Sequence, residues 1–196
     1  EKREVSRNDW KLWTYPAPRG GDWQKGICTD LGFVRDTYPG IRTLDALPDS
    51  AAVVTNRLDA DLLDYLDSGG RVVLLSDNTI EEYRFDPAED WGWSHRFSKA
   101  YRSPCWNTGT HGNSGTVVEP HPALGGFPNH GWCDLNFVYL IDEAHPLLLE
   151  PYKPVKIDPI IRSIGHFMTL VDKAYMFEVN VGAGKLLATS LNISTT

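Results

Sequence analysis

Residues 50–77 read SAAVVTNRLDADLLDYLDSGGRVVLLSD, a run that opens and closes apolar around a charged middle. Ala51 to Thr55 is short, apolar and β-branched, which suits a buried strand. Leu58, Leu62, Leu63 and Leu66 then recur at helical spacing, with Asp59, Asp61, Asp64 and Asp67 on the water side. Asn56 or Asp59 can cap that helix at its start. Gly69 and Gly70 supply the left-handed backbone that ends it. Arg71 to Asp77 returns as a second β-branched run. Strand, helix, paired glycine and strand make a right-handed crossover, so the fold class expected from these residues is α/β with a parallel sheet.

Working outward, the C-terminus carries a second clear signal. Ala174–Val181 (AYMFEVNV) and Lys185–Leu191 (KLLATSL) flank Gly182-Ala183-Gly184, the pattern of a β-hairpin. Phe137–Ile141 (FVYLI) and Asp158–Ile164 are expected as further strands. Shorter ones are expected at Ile41–Leu44 and Thr116–Glu119, with a helical turn near His121–Leu124. Trp10–Tyr15 reads as a first strand stopped by Pro16 and Pro18. Gly20–Gly40 reads as a loop with one irregular helix, and Pro146–Pro154 as an extended excursion. Between Asn78 and Asn136 the regular pattern fades into Gly, Pro, His and Trp. A loop of that length is usually functional or partner-facing. With no internal repeat, the 196 residues are expected to form one domain, 1–196, bearing a long insertion at 78–136.

Composition narrows the function. With 26 acidic and 19 basic residues the net charge is -7, which argues against a nucleic-acid partner, whose phosphates call for a basic face. No apolar run approaches the roughly 20 residues of a membrane span. The N-terminus, EKREVSRND, has no apolar core of a signal peptide. The three cysteines, Cys28, Cys105 and Cys133, are too few for a disulfide scaffold. They read as buried thiols, or as one bridge and one thiol.

Motifs resembling known chemistry fail on context. Gly182-Ala183-Gly184-Lys185 lacks the Ser or Thr of a phosphate loop and leads into a strand, so its glycines are turn glycines. Asp142-Glu143-Ala144-His145 spells a helicase acidic box, but the phosphate loop and basic face that would accompany it are missing. His95, His111, His121, His130, His145 and His166 include no zinc spacing, and only His111, His121 and His130 with Asp134 or Glu119 could converge. No cofactor or metal is therefore expected. Neither Cys105 nor Cys133 sits on a strand–helix elbow, and Ser76-Asp77 lacks the flanking glycines. The tryptophans carry the strongest signal. Flat indole faces stack on sugar rings while polar neighbours bond the hydroxyls. Trp91, Trp93, Trp106, Asn107, His130, Trp132 and Asp134 could form such a carbohydrate-binding platform. Alternatively, those rings pack over the sheet edge or against a neighbouring domain.

In order, LDADLLDYLDSGGRVVLLSD, YRSPCWN, HPALGGFPNHGWCDL, DPIIRSIG and FEVNVGAGKLLATSLNI resemble a domain of large glycoside hydrolases with family 2-type domains, β-galactosidase-like and β-mannosidase-like. That domain has the class I glutamine amidotransferase fold, and is similar to the trimerisation domain of other β-galactosidases. The resemblance spans roughly Trp10 to Ile193. It implies a flavodoxin-like three-layer sandwich with a mostly parallel sheet and a C-terminal β-hairpin. It also implies a non-catalytic accessory domain supporting a catalytic barrel or oligomer contacts, because the amidotransferase cysteine is missing after residues 71–77. The glycosidase's paired carboxylates would lie in a barrel this chain is too short to include. The implied partners are the other domains of the parent glycosidase, with carbohydrate or a second copy as further candidates. The implied location is periplasmic or secreted. A sugar-binding module using the tryptophan-rich loops at 91–134 is the alternative. An active amidotransferase or protease would need a reactive cysteine.

Overall fold

The computed structural model describes residues 6–9, 12–15, 17, 19–45, 47, 52–76, 116–141, 144, 146–149, 156–164 and 172–193. The crossover read from residues 50–77 is present. β3 (Ala52–Thr55) and β4 (Arg71–Leu75) are parallel neighbours joined through helix α2 (Ala60–Asp67). The Asp59 carboxylate caps α2 by accepting the Leu62 N–H at 3.0 Å. The helix ends at Ser68, followed by Gly69 at φ 106°. Leu62 and Leu66, one turn apart, are buried, whereas Leu63 on the flank and Leu58 ahead of the helix are exposed. The apolar stripe is thus narrower than the four leucines imply.

Two more parallel strands precede this unit. β1 (Ile27–Thr29) lies within the segment expected to be a loop with one irregular helix. It follows a 3-10 turn (Asp22–Gly26) and is succeeded by the short helix α1 (Gly32–Thr37). β2 (Arg42–Thr43) falls inside the strand expected at Ile41–Leu44. Of the expected first strand, residues 12–15 take no regular structure, and Trp10 and Lys11 lie outside the described residues.

β5 (Thr116–Val118), β6 (Leu147–Leu148), β7 (Ile157–Ile164), β8 (Asp172–Val181) and β9 (Gly184–Thr189) complete the sheet among the described residues. The strand order is β2-β1-β3-β4-β9-β8-β7-β5, with β6 paired to β8 off this path. β8 and β9 are the expected hairpin, turning at Gly182, whose φ of 57° is the left-handed conformation glycine tolerates. The turn rests on the end of α2, where Ala183 N–H donates to the Asp67 carbonyl at 3.1 Å. That bond satisfies a carbonyl which the end of the helix leaves open.

The flavodoxin-like, mostly parallel sandwich is overturned by this topology. β1–β2, β1–β3, β3–β4 and β4–β9 pair in parallel, but β5–β7, β6–β8, β7–β8 and β8–β9 pair antiparallel. The sheet is mixed, and antiparallel through its C-terminal half. A doubly wound sandwich returns each strand through a helix that covers a face of the sheet. Here long strands follow one another from residue 157 onward, and the described helices are few and short. A second correction concerns Phe137–Ile141. It is not a strand but part of a 3-10 turn (Leu135–Phe137) running into helix α3 (Val138–Ile141).

The core has two parts. Val53, Val72, Leu186 and Val179 stand side by side across β3, β4, β9 and β8. They belong to the cluster built on Leu62 and Leu66 of α2. Val118, Ile161 and Met176 form another row, across β5, β7 and β8. Met176 and Val179 are three residues apart on one strand, so they face opposite sides of the sheet. The second row packs against Cys133, Phe137 and Ile141. Thus α2 covers one face of the parallel half, and the segment 121–141 is applied to the other face of the antiparallel half.

Candidate functional site: an exposed aromatic stripe

The segment applied to the sheet is held in place by main-chain bonds. Val118 N–H donates to the Gly131 carbonyl at 2.9 Å, and Cys133 N–H to the Thr116 hydroxyl at 3.0 Å, so the loop runs along β5. Gly131 has φ 84°, and its N–H donates to the Asn129 side chain at 3.1 Å. Asn136 donates its amide to the Pro128 carbonyl. Asp134 opens the 3-10 turn, its carboxylate accepting Leu135 N–H at 2.7 Å. Phe127 meets Phe137 edge-on with centroids 4.9 Å apart, and Tyr15 stacks on Phe127 at 5.5 Å.

Helical spacing then sorts the side chains. Phe137 and Ile141, four apart, are buried; Leu135 and Tyr139, also four apart, point the other way. Leu135 is 49% exposed, Tyr139 74%, and Trp132 on the preceding loop 39%. A framework this well bonded therefore presents Trp132, Leu135 and Tyr139 to solvent. Their exposure gives folding little, and all three fall between positions 132 and 139 of the chain.

Of the residues expected in a carbohydrate platform, His130, Trp132 and Asp134 share this loop. His130 is exposed and Asp134 half-buried, with one carboxylate oxygen engaged by the backbone. Trp91, Trp93, Trp106 and Asn107 lie outside the described residues, as do Cys105 and His111. A strand over Phe137–Ile141 hides the outward placement of Tyr139, and Leu135 precedes that run. The capping Asp134, followed by apolar residues at positions 137 and 141, was the available helical signal.

Two polar clusters also escaped the sequence reading. On β8, Glu178 accepts Lys185 Nζ at 2.6 Å, while His121 Nε2 lies 3.9 Å from its other oxygen. His121 Nδ1 accepts Ala123 N–H at 3.1 Å, which places the proton of a neutral ring on Nε2, facing Glu178. The second cluster stands where β1 and β3 end. Asp30 Oδ2 accepts the Thr55 hydroxyl at 3.2 Å and Arg57 Nε at 3.0 Å, and Arg57 Nη1 reaches Asp59 Oδ2 at 2.8 Å.

Cys28 and Cys133 are buried. Burial pushes the Cys133 thiol up to about 12, partly opposed by its hydrogen bond with Thr116. Burial likewise raises the Cys28 thiol, with Arg42 pulling it down and Asp30 pushing it further up. Neither has the lowered pKa of an activated nucleophile. Among the described residues no group of three His, Cys, Asp or Glu side chains is placed to hold a metal ion. Among them, too, no helix is long and apolar enough to cross a membrane.

Fold and site together define a mixed α/β sheet domain that exposes Trp132, Leu135 and Tyr139 on the segment applied to its antiparallel half. The chain belongs to the family described as domain of unknown function DUF8487, whose model matches residues 53–196, from β3 onward. No curated protein matches it.

Proposed function

We propose that this chain is a non-catalytic accessory domain of a multidomain glycoside hydrolase, seated on a neighbouring domain of the same polypeptide through Trp132, Leu135 and Tyr139. The glycosidase setting comes from the sequence resemblance. The observation that carries the docking role is the exposure of these three side chains on a backbone held by hydrogen bonds. Aromatic residues on a rigid support lose little conformational freedom when covered, and they dominate binding at interface centres. The same reading puts the parent enzyme in the periplasm or outside the cell.

The test pairs the purified chain with the catalytic barrel encoded in the same reading frame, using titration calorimetry. Leu135→Ser with Tyr139→Ala is expected to abolish association while leaving stability within about 0.5 kcal/mol, as befits surface positions. A reading frame without such a barrel, or glycoside hydrolysis by the chain alone, sinks the proposal. Concentration-dependent self-association lost in the same variant would assign the stripe to a second copy instead.

A sugar-binding role is favoured by a different observation: half-exposed Trp132 is flanked by exposed His130 and by Asp134. Titrating oligosaccharides against the difference in tryptophan emission between wild type and Trp132→Phe tests it. A flat response refutes it.

A further inference from the structure

We propose that the carboxyl-terminal ends of β1 and β3 form a binding site for a neutral, polyhydroxylated ligand, in which Asp30 and Arg57 read two adjacent hydroxyls. This site is separate from the aromatic stripe and does not depend on the accessory role. β1 and β3 are adjacent and parallel, yet the chain leaves β1 toward β2 and leaves β3 toward β4. Connections that depart in opposite directions open a crevice beyond the strand ends, where sheets of parallel strands bind ligands.

The residues at that point are unevenly satisfied. Asp30 Oδ2 accepts two hydrogen bonds, from Thr55 and Arg57. Oδ1 of the same carboxylate is shielded from solvent and has no partner among the described residues. A buried carboxylate oxygen without a donor is costly, and its need is specific: a donor has to arrive. Asp59 supplies no donor: its carboxylate only accepts, from the Leu62 N–H and the Arg57 guanidinium. Arg57 is 58% exposed on its side chain and shared between the two carboxylates. Asp59 thus holds the guanidinium in place beside Asp30.

Charge decides what kind of donor fits. A cation gains little, because Arg57 already neutralises Asp30 at 3.0 Å. An anion meets Asp30 and Asp59 together. A hydroxyl both donates and accepts. One hydroxyl can donate to Asp30 Oδ1 while its neighbour accepts from Arg57, whose Nη2 has no acceptor among the described residues. Vicinal hydroxyls, as on a sugar ring, fit that pairing.

The experiment titrates the isotopically labelled full chain with D-mannose and D-ribose, and separately with calcium chloride and inorganic phosphate, following backbone amides by NMR. Saturable shifts are expected at Asp30, Leu31, Asn56 and Arg57 with a sugar, at a Kd on the order of 1–10 mM for so small a ligand. Asp30→Asn is expected to weaken binding at least about tenfold. If that variant does not fold, the wild-type map still decides. The proposal is overturned by shifts confined to residues 130–139, by no shift up to about 100 mM sugar, or by a response at Asp30 to calcium or phosphate but not to sugar.

Discussion

Cys133 shows what burial does to one side chain. Its thiol lies wholly inside the second core cluster, and its folded pKa of about 12 stands above the unfolded 9.0. The sign follows from proton binding. Below pH 9 the thiol is protonated in both states, and its contribution to stability is flat. Between about 9 and 12 only the unfolded chain releases the proton, so stability falls with rising pH by up to about 1.4 kcal/mol per unit from this group. Urea unfolding of wild type and Cys133→Ala at pH 8 and pH 10.5 is expected to show the gap between them shrinking at the higher pH. The native thiol is also expected to resist alkylation until the protein unfolds. Burial of this thiol is one of the two readings that so few cysteines allow, the other being one bridge and one thiol. The orphaned oxygen of Asp30 was not legible in the sequence, because it arises from strands 25 residues apart along the chain.

Elements were legible in proportion to their length and periodicity. The α2 helix and the hairpin strands repeat long enough for one period to prevail. FVYLI does not: five apolar residues fit a buried strand or a helical turn equally, and capping by Asp134 settles it as helix. β1 spans three residues, Ile27–Thr29, and becomes a strand only because β2 and β3 flank it. Tertiary pairing, not local preference, makes it. Capping matters equally at α2. Asp59→Ala is expected to cost about 1 kcal/mol, read from thermal unfolding by circular dichroism, whereas Asp59→Asn keeps an acceptor for Leu62 N–H and loses less.

At the scale of the whole molecule, strand direction was the hardest feature to foresee. The crossover at residues 50–77 is local and gave a parallel sheet. The antiparallel half depends on where β7, β8 and β9 settle, and neither their composition nor their spacing from the crossover fixes that. Their junction with the parallel half is tight at Gly184, where an added Cβ would collide with the carbonyl oxygens of Leu66 and Gly70. Both obstacles are backbone and neither can swing away. Gly184→Ala is therefore expected to lower stability by more than about 2 kcal/mol in chemical denaturation, more than a surface substitution would.

β9 also has a consequence for how the chain assembles. It is at once an arm of the hairpin and the parallel neighbour of β4, though Val72 and Leu186 are more than a hundred residues apart along the chain. A growing chain must therefore hold β4 with an unclaimed rim until β9 has emerged, and so distant a closure is slow. Translation halted before Lys185 would leave not a smaller working domain but a sticky intermediate, so quality control of this domain falls on β9.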